Sequence, residues 1–145
     1  MKDIKNIFRN LEKQLKQSTW YENEWEIYNR GTYFQLYKTN WHNQNQGGIH
    51  FETFIESAQI KKKMFPICMH VEEDCPSQTR FMENFLEIER VRIESWKRYQ
   101  IVGRGYVVFQ RTVPLNFENL EQRLYGELIR LRQLEPSMDK ALAML

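Results

Sequence analysis

The chain has 145 residues, of which 41% are hydrophobic and 14% aromatic, enough for a buried core and too many for a disordered segment. Its formal net charge of +2 is too small by itself to mark a nucleic-acid binder. No apolar run of about 18 residues is present, which argues against a transmembrane helix.

The opening stretch MKDIKNIFRNLEKQLKQ is charged throughout and lacks the apolar segment of a secretory signal. The expectation is a cytoplasmic protein with a single α+β domain over 1–145, in which 136–145 form a loosely attached tail. Ile4, Ile7, Phe8, Leu11 and Leu15 recur at helical spacing and predict a first amphipathic helix ending near Thr19.

Two strands follow, WEIYNR and TYFQLYKTNW, divided at Arg30-Gly31, where glycine permits the positive φ of a tight turn. Pairing Ile27 with Phe34 and Trp25 with Leu36 gives one apolar face. Tyr28, Tyr33 and Tyr37 then fall on the other face. HNQNQGG reads as a polar loop. Beyond it, Ile49–Ile55 and Phe65–Glu72 alternate as strands, and Lys61, Lys62 and Lys63 mark the tip of their connection.

From Ser77 to about Arg98 the period becomes helical. Phe81, Phe85, Ile88 and Arg92 lie along one line, with Met82, Glu89, Ile93 and Trp96 beside it. YQIVGRGYVVFQRTV reads as a strand interrupted at Gly103 and Gly105, or as two short strands. Asn116 is placed to cap a last helix carrying Phe117, Leu120, Leu124, Leu128 and Leu131, which Glu135-Pro136 would end. The expected order is α-β-β-β-β-α-β-α, with a mostly antiparallel sheet of about five strands and amphipathic helices packed on it. This order resembles, in topology alone, small secretion-chaperone folds.

The chemistry-bearing pattern is a repeated His-x-Glu, His50-Phe51-Glu52 and His70-Val71-Glu72, which uses two of the three histidines. Residues two apart on a strand share a face, so each pair projects together, opposite the apolar residues. An antiparallel pairing of Phe51 with Val71 and of Ile55 with Ile67 would set His50 opposite Glu72 and Glu52 opposite His70. These four residues are the candidate catalytic or metal-ligating set. Imidazole with carboxylate suits zinc, iron or manganese, and also a general base with its orienting carboxylate. Cross-strand His–Glu pairs on a solvated face are the plainer reading, and no motif requires a cofactor.

Other signatures are missing. There is no phosphate-binding glycine loop, no nucleophile elbow and no Glu/Asp-x-Lys on a strand of the kind metal-dependent nucleases use, since Asp3-x-Lys5 falls in the first helix. Cys68 and Cys75 lack metal-type spacing and are expected as free thiols. Cys68 shares a face with His70, but strand neighbours about 6.6 Å apart are too distant for direct thiol–imidazole contact. Arg90, Arg92, Arg98, Arg104 and Arg111 are interleaved with Glu87, Glu89 and Glu94, which predicts a salt-bridged surface and not a phosphate track.

The leading expectation is therefore a non-catalytic adaptor or chaperone-like protein. It would bind a protein partner or itself, as a homodimer, through Tyr28, Tyr33, Tyr37 and Phe54 on the aromatic sheet face, or through a helix. A metal-dependent or acid–base enzyme built on His50, Glu52, His70 and Glu72 is the alternative. Nucleic acid ranks below both as a partner.

Overall fold

In a computed structural model, described here for residues 4–22, 24–42 and 48–145, the chain forms an α+β fold around one six-stranded antiparallel sheet. Helix α1 (Ile4–Lys16) leads into strands β1 (Trp25–Asn29) and β2 (Tyr33–Lys38). Strand β3 (Ile49–Phe54), the short helix α2 (Ser57–Lys62) and strand β4 (Met64–Val71) follow. Next come helix α3 (Gln78–Ser95), strands β5 (Gln100–Arg104) and β6 (Val107–Pro114), and helices α4 (Leu120–Arg132) and α5 (Glu135–Ala143). The strand order is β1-β2-β3-β4-β6-β5. Residues 43–47 of the predicted polar loop, which spans 42–48, and the residue Asp3 lie outside the described residues.

Alternation decides the layers. Trp25, Phe34, Leu36, Phe51, Ile67, Met69, Phe109 and Val113 project to one side and join a single buried cluster with Phe8, Leu11 and Leu15 of α1. Phe81, Phe85 and Ile93 of α3, Leu124 and Leu128 of α4, and Met138 and Ala141 of α5 belong to the same cluster. A six-stranded sheet is about 29 Å wide, so the helices fit on one face with no need to cover the other. On the opposite face Glu26, Gln100, Gln110, Thr112 and Pro114 are exposed at the margins.

Several local expectations shift. In the first hairpin Ile27 stands opposite Leu36 and Trp25 opposite Lys38, a slide of two residues that preserves both faces. Lys38 is drawn inward because Glu135 and Asp139 of α5 meet its ammonium at 2.7 and 3.0 Å. The stretch 99–114 is two strands, joined where Gly105 takes φ 63°. In α3 the buried stripe includes Leu86, whereas Ile88 is exposed. Asn116 accepts from the Glu118 amide in a turn ahead of α4, which starts at Leu120, and Phe117 is left outside. Glu135-Pro136 opens α5, as proline's fixed φ and missing N–H suit a helix's first turn.

Candidate metal centre

Strands β3 and β4 pair with His50 opposite His70, Phe51 opposite Met69 and Glu52 opposite Cys68. The expected pairing of His50 with Glu72 and of Glu52 with His70 is thereby corrected by two residues. The connection explains the slip: Glu56 and Gln59 close a reciprocal capping box, α2 forms, and Lys63 ends it at φ 59°. Lys61, Lys62 and Lys63 stand exposed at that end, as the sequence suggested.

The two imidazoles face each other across the strands, with Glu52 one step along the sheet on one side and Glu72 one step along on the other. Beside Glu72, Gly48 offers no side chain and accepts from the Glu72 amide at 2.8 Å. His50 Nε2 lies 3.1 Å from Glu52 Oε1 and 3.5 Å from Glu72 Oε2. His70 Nδ1 lies 3.3 Å from each of the same two oxygens. All four atoms fall within 4.8 Å of one another. Four ligands about 2.1 Å from a common centre have tetrahedral edges of about 3.4 Å, close to these nitrogen–oxygen separations.

Burial grades across the group. The His50 side chain is 0% exposed and Glu52 5%, against 12% for His70 and 30% for Glu72. Solvent therefore reaches the cluster from the Glu72 side, where the half-exposed Tyr106 ring stands edge-on to His70 at 4.9 Å. The loops at this end are tied together. Gly48 N–H donates to Asp74 at 2.8 Å and Val71 N–H donates to the Tyr106 carbonyl at 2.8 Å.

The sheet lattice supplies a further layer of contacts. Gln35 of β2 stands opposite Glu52 on one side and Tyr28 on the other. Tyr33 O–H donates to Glu52 Oε1 at 2.5 Å, and Gln35 Nε2 donates to the Tyr33 oxygen at 2.9 Å. Gln35 Nε2 also approaches His50 Nε2 at 3.2 Å. On the far side Cys68 Sγ lies 3.3 Å from His70 Nε2. The expectation that this pair was out of reach fails because the side chains lean together at a register shift between Met69 and His70.

Electrostatics follow from crowding two carboxylates and two imidazoles in a shielded space. Burial pulls the His70 imidazole down, but its hydrogen bonds to Cys68, Glu52 and Glu72 outweigh this and push it up to about 12. Burial would raise the Glu52 carboxyl. Hydrogen bonds from His50 and His70, the His70 charge and the Tyr33 hydroxyl reverse this and hold it well below the usual carboxylate range. Burial, then the bond to Glu52, push the Tyr33 hydroxyl well up, so it remains a donor. Burial likewise pushes the Cys68 thiol up, leaving a protonated sulfur in contact with His70.

All four candidate ligands named from sequence are thus brought together. The aromatic set divides. Tyr33 stacks on Phe54 and stands edge-on to Tyr28, with the Arg30 guanidinium 5.1 Å from its ring centre, whereas Tyr37 packs at the margin of the core. Sequence reasoning missed Gln35, Tyr106 and the Cys68 contact. Gln35 was findable, since alternation from Tyr33 puts it on the site's face. Tyr106 was not, because its approach to His70 depends on the β5–β6 turn. The arginines are spread among separate ion pairs, Arg92 with Glu89 and Arg111 with Glu127 at 3.0 Å. No helix of the described residues is long and apolar enough to cross a membrane. No protein-family model, curated protein or solved structure matches the chain.

Proposed function

We propose that His50, Glu52, His70 and Glu72 hold one divalent transition-metal ion and that the protein is a metal-dependent one. The observation that carries this reading is the set of four nitrogen–oxygen separations between 3.1 and 3.5 Å, which meets the geometry of a shared ion with no rearrangement of the strands. Charge supports it as well. The His70 imidazolium sits between the two carboxylates, and an ion that displaced its proton would find two neutral imidazoles and two carboxylates, a set that neutralises a double charge. Mixed nitrogen and oxygen donors without a coordinating thiolate fit zinc, iron(II) or manganese(II) better than copper(I) or an iron–sulfur group.

The test is metal content by mass spectrometry on protein purified without a metal-affinity tag, beside the His50→Ala/His70→Ala double variant. Near-stoichiometric metal in the first and none in the second is expected. Wild-type protein that stays empty after incubation with zinc, iron(II) and manganese(II) refutes the reading.

A second reading, a homodimer or a protein complex formed through the same sheet face, is favoured by the half-buried Tyr28 and Phe54 on the face opposite the core strand residues. Light scattering at several concentrations decides it: a strict monomer removes the homodimer. The two readings differ in where Tyr33 acts, since its hydroxyl is already committed to Glu52.

A further inference from the structure

Gln35 is 1% exposed, and its Oε1 is buried with no hydrogen-bond partner among the described residues. Its amide cannot simply be turned round. The Glu52 carboxylate only accepts, so the Tyr33 hydroxyl must donate to it, and the Tyr33 oxygen must in turn accept from Gln35 Nε2. That chain fixes Nε2 toward Tyr33 and leaves Oε1 as the atom without a donor. The same amide lies against the cluster, with Nε2 3.2 Å from His50 Nε2. A buried acceptor is rarely left unpaired, and this one belongs to a side chain that touches the cluster.

We propose that the ion keeps one exchangeable coordination position, occupied by water, and that Gln35 Oε1 accepts a hydrogen bond from that water. This inference rests on the metal reading above and adds the kind of centre it is: open to a fifth ligand, as catalytic sites are, and not closed as structural ones are. The ligand class follows from the chemistry of the acceptor. An amide oxygen favours an O–H or N–H donor in the fifth position and disfavours a small anion with no proton to give. Access from the Glu72 and Tyr106 side lets that ligand exchange with solvent.

The full chain is loaded with manganese(II). Uptake is measured by calorimetry, and water-proton relaxation reports whether a rapidly exchanging water sits on the bound ion. Wild-type protein is expected to show an inner-sphere water. Gln35→Met, of similar size but without the acceptor, is expected to take up manganese yet lose most of that relaxation signal. Uptake by the wild type with no inner-sphere water overturns the inference on its own, whether or not the variant folds. A Gln35→Met protein that keeps the full wild-type signal overturns it too. Failure of the wild type to bind manganese, zinc or iron(II) instead removes the metal reading, and this inference with it.

Discussion

The Tyr33 hydroxyl donates to Glu52 Oε1 at 2.5 Å, and that same oxygen lies 3.1 Å from His50 Nε2 and 3.3 Å from His70 Nδ1. A residue that sequence reasoning placed on a partner-binding surface thus orients the most buried carboxylate of the cluster. Tyr33→Phe removes the bond and retains the ring that stacks on Phe54. Metal affinity measured by calorimetry is expected to fall roughly 10–100-fold, as for other contacts that aim a ligand. Unchanged affinity would assign Tyr33 to packing alone.

An ion that binds the folded chain stabilises it by mass action. At a free concentration roughly a hundred times its dissociation constant the gain is about 2.7 kcal/mol, visible as a higher melting temperature. Zinc added to chelator-treated wild-type protein should raise the thermal midpoint. Glu52→Gln should show little or no rise, because its neutral amide is a poor ligand. Equal rises in the two proteins would place the zinc elsewhere.

Away from the site, Glu89 is buried between α3 and α5, where it accepts from Arg92 at 2.8 Å and from the Ser137 hydroxyl. Burial would raise its carboxyl, but Arg92 and Ser137 reverse this and lower it below 4.5. A folded value below the unfolded one contributes stability that is present above the unfolded value and lost as pH falls through the folded value. Urea unfolding of the wild type should therefore weaken more steeply than that of Glu89→Gln as pH drops below about 4.5. Parallel pH profiles would show that the Glu89 charge contributes nothing.

Neither cysteine should react readily in the native state. Cys68 and Cys75 are each 3% exposed. Burial pushes both thiols up, Cys75 to about 11 with the Asp74 charge adding to the effect. Thiol titration is expected to be slow in buffer and complete in denaturant. Fast modification of one thiol before unfolding would mean that the β4 end of the sheet opens locally.

The α+β class, the antiparallel sheet and the two faces of β1 to β4 were legible because strand alternation is a local signal that survives a slide of two residues. Exact registers were not. The number of residues in a connection does not reveal whether it coils into a helical turn, and 55–63 do so through the Glu56 and Gln59 capping box. The four ligands were legible as a set because His50, Glu52, His70 and Glu72 share a face under any even slide. How closely their donor atoms approach, within 4.8 Å, depends on the tilt of the side chains, which the sequence does not give. Alternation from Tyr33 puts Gln35 on the site's face, but its position beside Glu52 depends on β2 pairing with β3, which its own neighbourhood does not encode. Helix α5 was masked by Pro136, which reads equally well as a stop or a start.

All four candidate ligands come from a single hairpin, with α2 at its closed end. A sheet built from alternating residues tolerates mispairing by two, since every side chain keeps its face and the hydrophobic core barely registers the error. The ion would register it. Ligand atoms meet within 4.8 Å when His50 stands opposite His70. A slip to His50 opposite Glu72 would instead set each imidazole directly across from a carboxylate, a different arrangement of the same four donors. An ion held by the donors as they stand would add its binding energy to the registration in which His50 faces His70, which the apolar face alone leaves weakly specified.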